Sequence, residues 1–377
     1  MNRRQFLKMA SIGLADTALQ CTASRSVEQP AVSAPEVGIS NDNTPAQNRQ
    51  NLIKTLSRSS KHIVFPPGDY LIDNSGPYVY IKGFGGKLTF SPGARLVFTD
   101  TTRRGLVFGG GTGVEFYGLR TTFKTLPLSR VNYQECILFE SSTDTLVRDA
   151  NIRGSAAAGL LFNRCTTPRV AHAVITETMA DGLHFATCQD ARVSNVLTEN
   201  TGYDGVAFLN YAGYPDMSGG LATDVSVRNS RGRGITVIGQ KDVTIERFEV
   251  NRTAASGILC AYDETFLSRT PSNVHFVDGT VKDAGRHPGL SEKDPSNRAG
   301  VEFSRVGSVE FEDIRVISST TDGVLGWAPD GTARLYNIRV RDAPGKGFDL
   351  TNAAYFLEDL SAQGTNLQGS WLRVVVW

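Results

Sequence analysis

The sequence lacks an excess of charge of either sign. Its 39 Lys and Arg face 38 Asp and Glu, a formal charge of +1 over 377 residues. That balance gives no basis for attracting nucleic acid electrostatically. A run of about 20 apolar residues is also missing, so no transmembrane helix is predicted. There is no Cys-x-x-Cys pair and no Gly-rich phosphate loop followed by a helix, which removes the commonest motif-borne redox, zinc and nucleotide chemistries. No calcium-loop signature is present either. Cysteine is scarce, at Cys21, Cys136, Cys165, Cys188 and Cys260. Cys165 and Cys188 each fall five residues after the first apolar residue of a repeated unit, Leu160 and Leu183. They read as a buried stack of small apolar side chains; a disulfide between them is the alternative.

Glycine, in contrast, is plentiful at 38 residues, as a chain with many turns requires. Many of these glycines open one short unit, a Gly followed by an apolar-x-apolar triplet. Asp181-Gly182-Leu183-His184-Phe185 and Asp204-Gly205-Val206-Ala207-Phe208 are two copies, and others begin at Gly105, Gly159, Gly234, Gly257, Gly300, Gly323 and Gly347. Cys136-Ile137-Leu138-Phe139 fits with Cys in the Gly place. From Ile137 the steps between first apolar positions are 23, 23, 23, 29, 23, 43, 23 and 24 residues. A fixed period in the low twenties with strand-like triplets predicts a solenoid of stacked coils. The triplet points two side chains inward and one outward. The residues preceding each Gly then form a row, in which Asp181 and Asp204 are neighbours about 4.8 Å apart at the backbone.

The first 21 residues stand apart. Arg3-Arg4-Gln5-Phe6-Leu7-Lys8 followed by the weakly apolar Met9 to Leu19 resembles a twin-arginine export signal. Cys21 ends that stretch, as the acylated Cys of a bacterial lipoprotein would, although Ala18-Leu19-Gln20 departs from the usual Leu-small-small. Export to the periplasm, cell envelope or medium is expected, with any membrane attachment through a lipid on Cys21. Thr22 to Thr44 is rich in Ser, Ala, Pro and Asn and reads as a disordered tether. The folded domain is expected from 45 to 377.

Pro45 to Ser57 carries Ala46, Leu52, Ile53 and Leu56 on roughly one helical face, with Thr44 as N-cap. Such a helix would cover the open end of a solenoid. His62-Ile63-Val64-Phe65-Pro66-Pro67-Gly68-Asp69-Tyr70-Leu71-Ile72 reads as strand, turn, strand. This helix and the Val-Phe-Pro-Pro-Gly-Asp-Tyr-Leu-Ile run resemble the start of the pectin-lyase-like superfamily. The resemblance implies an all-β fold: a single-stranded right-handed parallel β-helix with an N-terminal capping helix. Members include polygalacturonases, polysaccharide lyases, uronate epimerases and phage depolymerases. A second row, Asn195, Asn229, Asp278, Asp313 and Asn337, follows short β-runs and suits tight bends. Ser370 to Trp377 reads as a closing strand.

Two coils are oversized. One carries an excess at Tyr211 to Gly220, the other at Ala261 to Pro271 and Gly285 to Asn297. Long loops on a regular scaffold usually carry function, and these are expected to wall a groove along the repeated strand face. Tyr211, Tyr214, Tyr262 and Phe266 are candidate surfaces for stacking sugar rings, or else anchors for the loops themselves.

Asp181 and Asp204 are the first candidates for chemistry. An Asp before Gly is ordinarily a turn residue, and Asp322-Gly323 repeats the unit elsewhere. Stacked carboxylates repel, however, and the repulsion raises one pKa, which suits acid/base work on a glycosidic bond. Polygalacturonases carry Asn-Thr-Asp-Gly, Asp-Asp, Gly-His-Gly and Arg-Ile-Lys on successive coils. Here Met179-Ala180-Asp181-Gly182 retains the first Asp, and Tyr203-Asp204 the second of the pair. Gly232-Arg233-Gly234 has Arg for His, and Arg-Ile-Lys is absent. His184 is the outward residue of its triplet, in a row with Leu161, Ala207, Thr236, Leu259 and Glu302. Asp181-x-x-His184 with Tyr203 nearby is loosely similar to the Asp-Pro-His and Tyr set of mannuronan epimerases and related lyases. That resemblance implies proton removal at C5 of a uronate, with Arg233 or Arg231 stabilising the carboxylate. His275 and His287 have no spaced partner and read as structural or solvated.

The catalytic candidates are therefore Asp181, Asp204, His184 and Tyr203. Arg233, Arg231, Tyr211, Tyr214, Tyr262 and Glu302 are candidates for binding substrate. The leading expectation is glycosidic cleavage with Asp181 and Asp204 as acid and base. The alternatives are β-elimination or C5 epimerisation of a uronate polymer through His184, Tyr203 and Arg233, and a non-catalytic carbohydrate-binding envelope protein. The expected partner is a polysaccharide and not nucleic acid. No cofactor is required, though stacked Asp residues would also suit calcium.

Overall fold

The computed structural model describes residues 30–265, 267–288 and 298–365. The twin-arginine motif, Cys21, Phe266, residues 289–297 and the strand expected at Ser370 to Trp377 lie outside the described residues. From Val32 the chain forms one compact unit.

Each Gly-led triplet is a four-residue strand, and these nine, with the strands after Tyr78 and Cys136, make eleven that stack in parallel in sequence order. They are β1 (Val79–Lys82), β2 (Leu106–Gly109), β3 (Ile137–Glu140), β4 (Leu160–Asn163), β5 (Leu183–Ala186), β6 (Val206–Leu209), β7 (Ile235–Ile238), β8 (Ile258–Ala261), β9 (Val301–Ser304), β10 (Val324–Trp327) and β11 (Phe348–Thr351). Their register is the expected one. Leu160, Leu183, Val206 and Ile235 are Cα partners in one buried row, and Leu161, His184, Ala207, Thr236, Leu259 and Glu302 in the outward row.

The rest of each coil belongs to a second sheet of parallel strands. From Arg169–Thr178 onward these strands run 10 to 13 residues. Each bends where one residue takes a positive φ: His172, Asn195, Asp224, Arg247, Asp278, Asp313, Asn337 and Asp359. Short polar side chains tolerate this left-handed turn by bonding locally. Asn337 Nδ2, for example, donates to Asp313 Oδ1 in the coil before. Asn229 does not share this row. It turns the next corner, beside Asn200 and Arg252, with the same positive φ.

The interior is apolar and ordered into ladders. Phe108, Phe139, Phe162, Phe185 and Phe208 stack with ring centroids 5.0–5.4 Å apart. Cys136, Cys165, Cys188 and Cys260 are buried free thiols. Cys165 and Cys188 donate to Phe139 O and Phe162 O of the preceding coils at 3.4 and 3.3 Å, as a stack rather than a disulfide.

The N-terminal end is closed by helix α1, Pro45–Leu56, with a complete capping box between Thr44 and Gln47. Leu52 and Leu56 are buried as expected, but Ala46 is exposed. Asn48 takes the buried place instead, and its amide donates to Ser40 O and Leu71 O. The described part of the stretch expected as a tether, from residue 30, is structured instead. Ala34–Val37 forms a 3₁₀ turn, and Ala34 and Ile39 join the core.

The loop insertions expected to wall a groove pack onto the strand face itself. Outside the solenoid, Ala207, Leu209, Ile238, Leu259 and Ala261 form a separate buried cluster, with Tyr211 packed on it. Tyr211 pairs in antiparallel fashion with Ser268, and Arg269 N donates to Asn210 O. The loops therefore cross-link over the outward face of β6 to β8. On the other side of His184, Val107 and Leu138 are also outward yet buried. Between Val107 and Leu259 the outward row is accordingly open only at Leu161 and His184.

Candidate active site

The row preceding the triplets is continuous through backbone bonds. Gly105 N donates to Glu135 O, Cys136 N to Ala158 O, Gly159 N to Asp181 O, Gly182 N to Asp204 O and Gly205 N to Arg233 O. The row thus reads Arg104, Glu135, Ala158, Asp181, Asp204, Arg233, and Asp181 and Asp204 are neighbours as expected.

The turn chemistry of this row is general. Asp181 Oδ1 accepts from Asp204 N at 3.0 Å, Asp204 Oδ1 from Arg233 N at 2.9 Å, and Asp322 Oδ1 from Lys346 N at 2.7 Å. Each Asp caps the same corner of the following coil. What sets Asp181 apart is its other oxygen. Asp181 Oδ2 lies 2.6 Å from His184 Nδ1, the ring being about one-seventh exposed. The opposite nitrogen, Nε2, is buried and has no hydrogen-bond partner among the described residues. A carboxylate that accepts Nδ1–H fixes the tautomer in which Nε2 carries a lone pair.

Asp204 is nearly inaccessible, at 3% exposure. Burial pushes its pKa up, and the charge of Asp181 adds to this, while Arg233 opposes it. The expected repulsion between stacked acids is present, but it is second to desolvation. Arg233 Nη1 stands 3.7 Å from Asp204 Oδ1 and donates to Tyr203 Oη at 2.7 Å. Burial works against the Arg233 charge, yet Asp204 and Tyr203 outweigh it and hold its pKa above the ordinary value. The Tyr203 ring also receives Arg233 and Arg130 at 5.2 and 5.5 Å.

The binding candidates divide. Tyr211 lies within electrostatic reach of Asp181, and burial pushes its phenol up to about 12, so it stays protonated at neutral pH. Glu302 accepts from Ser256 Oγ, and its charge reaches Arg233. Tyr214 is exposed, with the Arg164 guanidinium 5.4 Å from its ring. Tyr262 sits one row further along the strand ends, where Arg305 approaches its ring at 5.7 Å. Arg231 is exposed, and its charge bears on His287 together with that of Arg252. Among the described residues no hydrogen bond or ion pair joins Arg231 to the Asp181 cluster. His275 bonds Asn273 Oδ1, away from the site.

Glu135 lies outside the motifs that mark the other acids. It is 4% exposed and two places before Asp181 in the row, with only the methyl of Ala158 between. Its Oε2 forms an ion pair with Arg104 Nε at 2.9 Å, but that N–H is directed at Tyr133 O, and among the described residues Oε2 has no hydrogen bond. Burial raises its pKa, against the lowering effects of Arg104 and His184. The signal was available: Cys136 occupies the Gly place, so the residue before it belongs to the same row.

A model described as right handed beta helix region matches residues 135–340, more than half of the chain. The chain belongs to the right-handed β-helix family. Solved structures agree on the fold. The catalytic domain of a GH87 α-1,3-glucanase, in complex with nigerose, matches with a TM-score of 0.56 and 14% identity, over 90% of this chain and 65% of that one. The Azotobacter vinelandii mannuronan C-5 epimerase AlgE4 A-module gives 0.55 and 11%, over 87% of this chain and 100% of that one. The Yersinia enterocolitica family 28 exopolygalacturonase gives 0.55 and 12%, over 90% and 79%. The chain thus spans just under two thirds of the glucanase domain. Among curated proteins nothing matches.

Proposed function

We propose that this protein is a polysaccharide-processing enzyme in which His184, oriented by Asp181, is the general base. The observation that carries this reading is the 2.6 Å contact between Asp181 Oδ2 and His184 Nδ1, with Nε2 sheltered and unpartnered. A base of this kind suits removal of the C5 proton of a uronate. The C5–H bond breaks, its proton moves to His184 Nε2, and its electrons pass into the sugar carboxylate. Arg233, with its Tyr203 partner, would hold that charge. Return of a proton on the opposite face gives the epimer. Alternatively the C4–O bond breaks, C4=C5 forms, and the departing oxygen takes a proton. The solved neighbours include a mannuronan epimerase, an exopolygalacturonase and a glucanase. Their names support a carbohydrate substrate.

Hydrolysis with Asp181 and Asp204 as the pair fits less well, because Asp204 is buried against Arg233. One observation favours a hydrolytic reading of another kind. Glu135 carries a raised pKa two coil spacings from Asp181, about 10 Å at the backbone. A protonated Glu135 with a water activated by His184 would be an inverting arrangement.

A panel of uronate and neutral polysaccharides separates the readings by product. Unsaturated uronate ends or altered C5 configuration are expected. New reducing ends without either would favour hydrolysis. No product from any polymer, with binding retained, would leave a carbohydrate-binding protein.

A further inference from the structure

A second feature of the same side of the molecule has no part in the chemistry above. On the first four coils, at the ends of β1 to β4, the surface forms a shallow cleft of about 380 Å³. Its base is aromatic. Tyr80 is the outward residue of β1 and 39% exposed. Its phenol lies against Gly109 of the next coil, where any Cβ would collide with the ring. Gly109 therefore lets Tyr80 lie along the wall instead of standing away from it. Around this ring are Arg58 and Lys82 on one side and Arg164 on the other, with Glu140 as the only carboxylate lining the cleft. Glu140 holds Arg164 at 2.8 Å, and Arg164 Nε is buried and makes no hydrogen bond among the described residues. Among the described residues Arg58 and Lys82 form no ion pair. Three cations face one carboxylate, so the cleft is net positive in a chain whose overall charge is +1.

We propose that this cleft binds an anionic sugar unit of a polysaccharide, with Tyr80 under the ring and Arg58, Lys82 and Arg164 on its acidic group. The pairing is chemical. An aromatic ring takes the C–H face of a pyranose, and the cations around its rim take a carboxylate or sulfate. The cleft spans three coil spacings, about 14 Å. It ends at Arg164, which directly follows β4, the strand paired with the one carrying His184. A bound chain would approach His184 from the N-terminal coils. The inference rests on the polysaccharide reading above for the nature of the ligand, but not on any catalytic step.

The test is binding without turnover. In a His184→Ala background, titration calorimetry would compare oligomers of a uronate, a sulfated glycan and a neutral glucan. Inorganic polyphosphate serves as the control for charge alone. Uronate or sulfated oligomers should bind, with affinity falling as salt rises. The stronger of the two names the acidic group. Tyr80→Ala should weaken binding about tenfold or more, equivalent to ~1.4 kcal/mol. Lys82→Ala, at an exposed position that leaves the fold intact, should weaken it in the same direction. Equal binding of the neutral glucan, equal binding of polyphosphate, or parent-like affinity in the Tyr80 and Lys82 variants would each overturn the proposal. Binding that meets these expectations in a protein whose parent converts no polymer would uphold the cleft and sink the catalytic reading. Turnover with no cleft-dependent binding would do the reverse.

Discussion

His184 has two ring nitrogens with different surroundings, and that asymmetry is the basis of its proposed role. Nδ1 is committed to Asp181, and Nε2 has no hydrogen-bond partner among the described residues. A buried polar atom left unpaired costs stability, so its retention fits a group reserved for a substrate proton. His184→Ala should abolish nearly all turnover. Asp181→Asn should keep the fold, because its oxygen still accepts from Asp204 N. It should still lower turnover at least about 100-fold, because an amide no longer enforces the tautomer. Steady-state kinetics beside a melting curve would separate the two effects, and parent-like rates in both variants would move the base elsewhere. Glu135 yields a prediction about pH. Its folded pKa is raised, so the stability it contributes is present at low pH and is lost as pH rises above 4.5, its ordinary value, toward the folded one. Relative to Glu135→Gln, the parent should lose melting temperature over that rise. A difference that does not change with pH would contradict the assignment.

Among the elements, the short strands were legible and the loops were not. A Gly followed by alternating apolar residues can be packed only one way in a coil, so the partners of Leu183, at Leu160 and Val206, follow from the spacing alone. Leu183 is fully buried, and Leu183→Ala should cost roughly 2–5 kcal/mol as a cavity in the ladder. A denaturant titration showing under about 1 kcal/mol would mean the row is not packed as described. The row of acids was equally legible, but the roles within it were not. Spacing places Asp204 beside Asp181, yet only the folded chain shows Arg233 turned onto Asp204 and His184 onto Asp181. Glu135 was missed because Cys136 breaks the Gly pattern that marks the row. The loops differ from expectation because length reveals an insertion but not its direction. Tyr211 packs down on Ala207 and Leu259 and so covers surface that periodicity alone leaves open.

For the whole molecule, the stacked coils convert a one-dimensional repeat into one long face, and the loops then select where that face is accessible. Segments far apart in sequence, such as Asp181, Asp204 and Arg233, line up because their coils stack in order, not because they are close in sequence. Delivery is a separate property of the chain. The Arg3-Arg4 pair with Phe6-Leu7-Lys8 leads us to propose twin-arginine export. Replacing both arginines with Lys should retain the protein in the cytoplasm on fractionation, and unchanged export would remove that proposal. The central claim, that His184 removes a carbon-bound proton from a sugar acid, is open to one direct measurement. Parent and His184→Ala would each be incubated with a polyuronate in deuterated water, and the product read by NMR. The account predicts C5 deuterium or unsaturated ends with the parent and neither with the variant. Cleavage by the parent that leaves every C5 proton in place, with no unsaturated ends, would contradict it.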